Sequence, residues 1–160
     1  MKFLKAALAA TAMTAFAVSA QAQDSNTYIN VGVQSYEFDV YNLAGRVGYN
    51  FSENFGVEGE ASIGVSSKDG AKIKNSFGGY LVGRVPVSDQ LDLFARAGYV
   101  SLNFSCDDCE GLSANDDGFA VGGGIQYNLD DQNGVRLGYT YNEGDVASGD
   151  VFDIAYVRKF

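Results

Sequence analysis

Apolar residues recur at every second position in one segment of this chain after another. Between Thr27 and Tyr36, Ile29, Val31 and Val33 alternate with Asn30, Gly32 and Gln34. The same alternation runs through Leu43 to Asn50, Phe55 to Val65, Ser76 to Val85, Leu91 to about Leu102, Phe119 to Leu129, Val135 to Tyr141 and Val151 to Phe160. Side chains in a strand alternate between faces, so each segment predicts a strand with one apolar face. The charged residues indicate which face looks where. Four of the five arginines, Arg46, Arg84, Arg96 and Arg136, take the parity opposite to the apolar set, and Glu58 and Glu60 do the same in the third segment. Apolar outside and charged inside inverts a soluble protein. The predicted fold is all-β, an eight-stranded antiparallel transmembrane up-and-down barrel.

The joins between segments support closure into a barrel. Those near Glu53, Asp89 and Asp131 are tight, while those near Lys72, Asp108 and Asp145 are longer and more polar. Short turns at one end and long loops at the other are the barrel pattern, and an even strand number brings both termini to the tight-turn, periplasmic side. Twenty Gly, ten Tyr and eleven Phe with a single Pro oppose a helical fold. Pro86 falls at the end of a segment, where a missing N–H is tolerated.

The N-terminus predicts export. Lys2 and Lys5 precede an apolar, small-residue stretch from Phe3 to Val18, and Ala20-Gln21-Ala22 has the form of a cleavage site. Residues 1–22 are therefore expected to be a signal peptide and residues 23–160 the barrel domain. The net charge is -9. Loss of two lysines takes the exported chain to about -11, which speaks against nucleic acid as a partner.

The final strand, Val151-Phe152-Asp153-Ile154-Ala155-Tyr156-Val157-Arg158-Lys159-Phe160, ends on an aromatic after alternating hydrophobics. Together with Arg46-Val47-Gly48-Tyr49-Asn50-Phe51 and Ala95-Arg96-Ala97-Gly98-Tyr99, it makes the chain resemble the small bacterial outer-membrane barrel domains of the OmpA, OmpX and opacity-porin type. The resemblance implies a Gram-negative outer-membrane location and contact with outer-membrane lipid and lipopolysaccharide. It also implies an assembly signal at Phe152, Ile154, Tyr156 and Phe160 for the barrel assembly machinery. Arg158 departs from the family by placing an arginine on the outward parity. Such a residue costs roughly 2 to 4 kcal/mol at the bilayer midplane but about 0 to 1 near an interface, where its long stem lets it snorkel.

Histidine is absent, which removes Ser/His and Cys/His catalysis and the usual histidine metal sites. No catalytic, cofactor or metal-binding residue is assigned. Arg46, Glu58, Glu60, Arg84, Arg96 and Arg136, with Asp92 and Asp153 as further candidates, form the expected interior charge network. It reads as a paired polar plug, because an eight-strand interior is just wide enough for side chains; the alternative is a narrow ion path. Cys106 and Cys109 are expected to form a loop disulfide in an oxidising compartment, against the other readings of half a metal site or a redox motif. The acidic residues Asp107, Asp108, Glu110, Asp116 and Asp117 read as a solvated loop, with a calcium or magnesium site as the alternative. Lys68, Lys72 and Lys74 read as another solvated loop, with contact to anionic lipopolysaccharide as the alternative. The functional expectation is a non-enzymatic outer-membrane barrel whose loops meet lipopolysaccharide, a surface ligand or host molecules; the alternative is a small passive porin with a narrow charged lumen.

Overall fold

The computed structural model describes residues 26–36, 40–66, 71–106, 113–144 and 148–160. The expected signal peptide, Lys68, Asp107, Asp108, Cys109 and Glu110 lie outside the described residues. Eight strands follow one another: β1 (Thr27–Tyr36), β2 (Val40–Asn50), β3 (Phe55–Gly64), β4 (Ala71–Ser88), β5 (Leu91–Cys106), β6 (Ser113–Asn128), β7 (Asn133–Gly144) and β8 (Ser148–Lys159). Each pairs antiparallel with its sequence neighbours, and β1 pairs with β8 to close the barrel. Closure satisfies every strand edge within the barrel wall, which a hydrocarbon surrounding demands.

The alternation read from the sequence matches the two faces. Val47, Leu81, Val85, Phe119, Val121 and Ile154 are exposed on the outer wall, whereas Arg46, Glu58, Glu60, Arg96 and Arg136 are buried within. Aromatic side chains gather outside toward both ends, with Tyr99, Phe119, Tyr141 and Phe152 toward the loop end and Tyr49, Phe55, Tyr127 and Tyr156 toward the turn end. Amphipathic rings favour these interfacial levels. Tyr99 and Phe119 meet edge to face with ring centroids 5.5 Å apart. Arg158 sits at the turn end of β8 and donates from Nη1 to Asn133 Oδ1 at 2.8 Å. An outward arginine is thus held at an interface rather than left in hydrocarbon.

Strand lengths differ from the sequence expectation at the loop end. β4 has 18 residues and β5 and β6 have 16 each, against 10 to 12 in the other strands. Lys72 and Lys74 are therefore strand residues of β4, not loop residues. Asp116 and Asp117 belong to β6 and point to opposite sides of it, Asp116 buried and Asp117 exposed, so they are not parts of one acidic loop. Cys106 closes β5 rather than opening a loop. Ladder pairing with β5 accounts for the extra length: β4 pairs with it as far as Ala71↔Cys106, and β6 as far as Ser105↔Ser113. Polar sequence misleads here because a strand clear of the membrane has no apolar face to display.

Candidate functional site

The barrel interior brings distant inward residues into two carboxylate-centred clusters. In the first, Glu60 Oε2 accepts from Arg46 Nε at 2.5 Å and from Arg96 Nη1 at 2.8 Å. Arg46 also donates from Nη1 to Asp153 Oδ2 at 3.0 Å, and Arg96 donates from Nε and Nη2 to Thr140 Oγ1 at 3.0 and 2.7 Å. In the second, Glu58 Oε1 accepts from Tyr28 Oη at 2.7 Å and from Arg136 Nη1. Arg84 Nη2 stands 3.7 Å from Glu58 Oε1, and Arg96 Nη1 3.9 Å from Glu58 Oε2. Arg96 therefore links the two clusters. Charge-assisted bonds of this kind are what make buried ions tolerable.

Aromatic faces complete the surroundings of three of the guanidinium groups. Arg84 lies over the Tyr28 ring at 4.1 Å, Arg96 over Tyr80 at 4.3 Å and Arg136 over Phe94 at 3.6 Å. The quadrupole of each ring attracts the cation where water is excluded. Small residues make room for this filling: a Cβ at Gly48 would overlap the Tyr28 ring, and one at Gly138 would overlap the Asp153 carboxylate. The wall formed by β4, β5 and β6 carries an apolar cluster of Tyr80, Val82, Phe94, Val100, Leu102 and Ala120.

Of the six residues taken from the sequence as an interior network, Arg46, Glu58, Glu60, Arg96 and Arg136 are buried and joined by hydrogen bonds. Arg84 is the loosest member, at ion-pair distance from Glu58 with no nearer carboxylate among the described residues. Asp153 joins the network. Asp92 does not; it accepts from Asn128 Nδ2 at 2.9 Å near the turn end. Sequence reasoning overlooked Tyr28, Tyr80, Phe94 and Thr140 as lumen residues. Their parity was available: Tyr28 shares it with Asn30, Tyr80 with Arg84, Phe94 with Arg96 and Thr140 with Arg136.

On β8, Phe152, Ile154 and Tyr156 face outward, and Phe160 N donates to Thr27 O at 3.1 Å just beyond the strand. Outside the spanning strands, the Asp130 carboxylate in the β6–β7 turn accepts from Asn133 Nδ2 at 2.8 Å, Gln132 N at 2.9 Å and Asn133 N at 2.8 Å. These bonds, that from the Asn133 side chain first, hold its pKa below the ordinary aspartate value. Among the described residues no three Cys, Asp, Glu or His side chains are grouped to hold a metal ion.

A family model described as the outer membrane protein β-barrel domain matches residues 8–160. No curated protein matches the chain by sequence. Among solved structures, the N-terminal barrel domain of OprF from Pseudomonas aeruginosa superposes with a TM-score of 0.74 at 12% identity, covering 86% of this chain and 100% of that one. Neisserial surface protein A gives 0.63 at 14% identity, over 85% and 98%. Ail, the attachment invasion locus protein of Yersinia pestis, gives 0.61 at 14% identity, over 86% and 100%, and has also been solved with the heparin analogue sucrose octasulfate. The chain belongs to the outer membrane protein β-barrel domain family and is a barrel of the Gram-negative outer membrane.

Proposed function

We propose that this protein is a non-enzymatic outer-membrane barrel whose lumen is a structural plug and whose loop end is an extracellular contact surface. The observation that carries this reading is the extension of β4, β5 and β6 beyond their neighbours. β3 last pairs with β4 at Ile63↔Asn75, and β7 last pairs with β6 at Gly144↔Gly118, yet the β4–β5–β6 ladder continues for several residues. At roughly 3.3 Å per residue, four or five residues lift this sheet about 15 Å beyond the closed barrel. Beyond Asn75, Ala71–Lys74 has no strand on its β3 side among the described residues. Backbone donors and acceptors along such an edge accept an added strand.

In this reading residues 1–22 direct export and are removed, the tight turns face the periplasm, and the outward residues Phe152, Ile154 and Tyr156, with Phe160 just beyond the strand, present the last strand to the barrel assembly machinery. Cys106 and Cys109 tie together the join that follows β5. Lys68, Lys72 and Lys74 meet the phosphates of lipopolysaccharide or another surface polyanion, a role suited to the basic segment of an otherwise acidic chain. The crystal form of Ail with a sulfated sugar supports anionic saccharides as a ligand class to try first.

The test is a deletion strain complemented with either the full chain or a variant in which residues 103–115 are replaced by Asn-Gly. The replacement leaves Leu102 and Asp116, which face each other across the ladder, joined by a hairpin turn. Surface adhesion or envelope integrity restored by the full chain but not by the shortened variant, with equal amounts of folded barrel, is the expected result. Full restoration by the shortened variant refutes the contact role of the extension.

A further inference from the structure

Toward the loop end, the outer wall of β4, β5 and β6 changes composition row by row. Cross-strand register sets Leu81, Ala97 and Val121 side by side, then Gly79, Tyr99 and Phe119, then Phe77, Ser101 and Asp117. The next row is Asn75, Asn103 and Asn115. Parity keeps all four rows on the outer face, where Leu81, Tyr99, Phe119 and Phe77 are exposed. The wall therefore passes without a break from aliphatic through aromatic to amide, the order of a bilayer's core, interface and headgroups.

The inward row beside the amides, Ser76, Leu102 and Asp116, is buried, and Leu102 packs into the apolar cluster of the inner wall. The asparagines are thus carried on a sheet with a packed back. Asn115 is exposed, Asn75 and Asn103 are half-buried, and none of the three side chains is tied to another described residue. Asparagine is disfavoured in strands, so strand formation does not account for a straight row of three.

Neighbouring strands lie about 4.8 Å apart, so the row spans about 10 Å. Each amide offers two N–H hydrogens and an acceptor oxygen and carries no charge. Its complement is a neutral group that both donates and accepts, repeated at short intervals, which is the chemistry of sugar hydroxyls. Asp117, exposed one row below Asn115 on the same strand, repels a phosphate and accepts from a hydroxyl. Continuity with the lipid-facing wall names the source, because a ligand on this row stands directly over lipid held against Tyr99 and Phe119. We propose that Asn75, Asn103 and Asn115 form a binding row for neutral headgroup sugars of the surrounding lipopolysaccharide. The proposal rests on the extension being extracellular, and adds recognition of hydroxyls to the phosphate contact assigned above to the lysines.

The experiment follows the side-chain amide resonances of asparagine-labelled, full-length barrel folded in detergent micelles and titrated with purified lipopolysaccharide. Saturable shifts of Asn75, Asn103 and Asn115 are expected, retained when the lipid's phosphates are removed and lost when it is stripped to its acylated, phosphorylated disaccharide. Asn103→Val, which suits a strand and removes the central amide, should weaken binding about tenfold while keeping the gel migration of a folded barrel. Where Asn103→Val does not fold, Asn115→Val takes its place. Absence of the shifts in the wild type overturns the proposal, as do equal shifts with the stripped lipid. Equal shifts with the soluble oligosaccharide released from the lipid overturn the headgroup as source, and shifts with protein concentration alone assign the row to a second copy of the chain. Unchanged binding by the folded Asn103→Val or Asn115→Val variant overturns the row but leaves the contact role of the extension standing. That role fails separately, through full complementation by the shortened variant.

Discussion

The two walls of the lumen solve one problem by different chemistry. Along β4, β5 and β6, Val82, Phe94, Val100, Leu102 and Ala120 pack as they would in a soluble core. On the other side, β1, β2, β3, β7 and β8 supply the Tyr28 hydroxyl and the charges of Arg46, Glu58, Glu60, Arg136 and Asp153, which meet inside the barrel. The apolar wall gains by excluding water. The charged wall holds only because each carboxylate is hydrogen-bonded, since unpaired ions in that space are costly. Arg96 and Arg136 join the walls: each bonds to a carboxylate while lying over an aromatic ring of the apolar cluster. Both chemistries fill space, and this argues for a plug rather than a path.

The comparison is broken most severely by removing a carboxylate. Glu58→Ala leaves Arg136 and the Tyr28 hydroxyl without their shared acceptor and Arg84 without its nearest counter-charge, and should destabilise the barrel by about 4 kcal/mol in urea unfolding from micelles. Glu58→Met combined with Arg136→Met removes the charge together with its tightest counter-charge and should recover most of that loss; failure to recover would mean the ion pair stabilises the barrel directly. On the apolar wall, Leu102→Ala should cost about 3 kcal/mol as a cavity-forming change, by the same measurement. Arg84→Met should cost about 1 kcal/mol or less, because this arginine has no hydrogen-bonded carboxylate to strand.

The smallest effect belongs to the turn end. Asp130 is fully exposed, and its pKa is lowered by the Asn133 and Gln132 donors. A carboxyl with a depressed folded pKa contributes stability above its unfolded pKa and loses it as pH falls through the folded one. Melting temperature followed into the acid range should therefore fall slightly less steeply for Asp130→Asn than for the wild type. Parallel curves would show that the turn bonds do not favour the ionised form.

Most of the spanning fold was legible from parity alone. A lipid-facing apolar row with arginine on the opposite row leaves little choice of fold, and Leu43, Val47, Arg46 and Glu60 displayed that rule without ambiguity. The upper parts of β4, β5 and β6 escaped because Lys74, Asn75, Asn115 and Asp117 lie where no lipid enforces alternation. Parity also identified which charges face inward but not which ones meet. Arg46 and Asp153 are 107 positions apart, and their contact follows from closure of β8 onto β1 with its particular register. The aromatic partners of the arginines were missed because Tyr28, Tyr80 and Phe94 resemble girdle residues in composition and differ only in parity.

Planar-bilayer recording of the purified, folded wild-type protein beside Glu58→Gln tests the filled lumen most directly. A lumen closed by Arg46, Glu58, Glu60, Arg96 and Arg136 predicts no stable conductance steps from the wild type. Reproducible steps from the wild type, with amplitude or ion selectivity altered in Glu58→Gln, would contradict it.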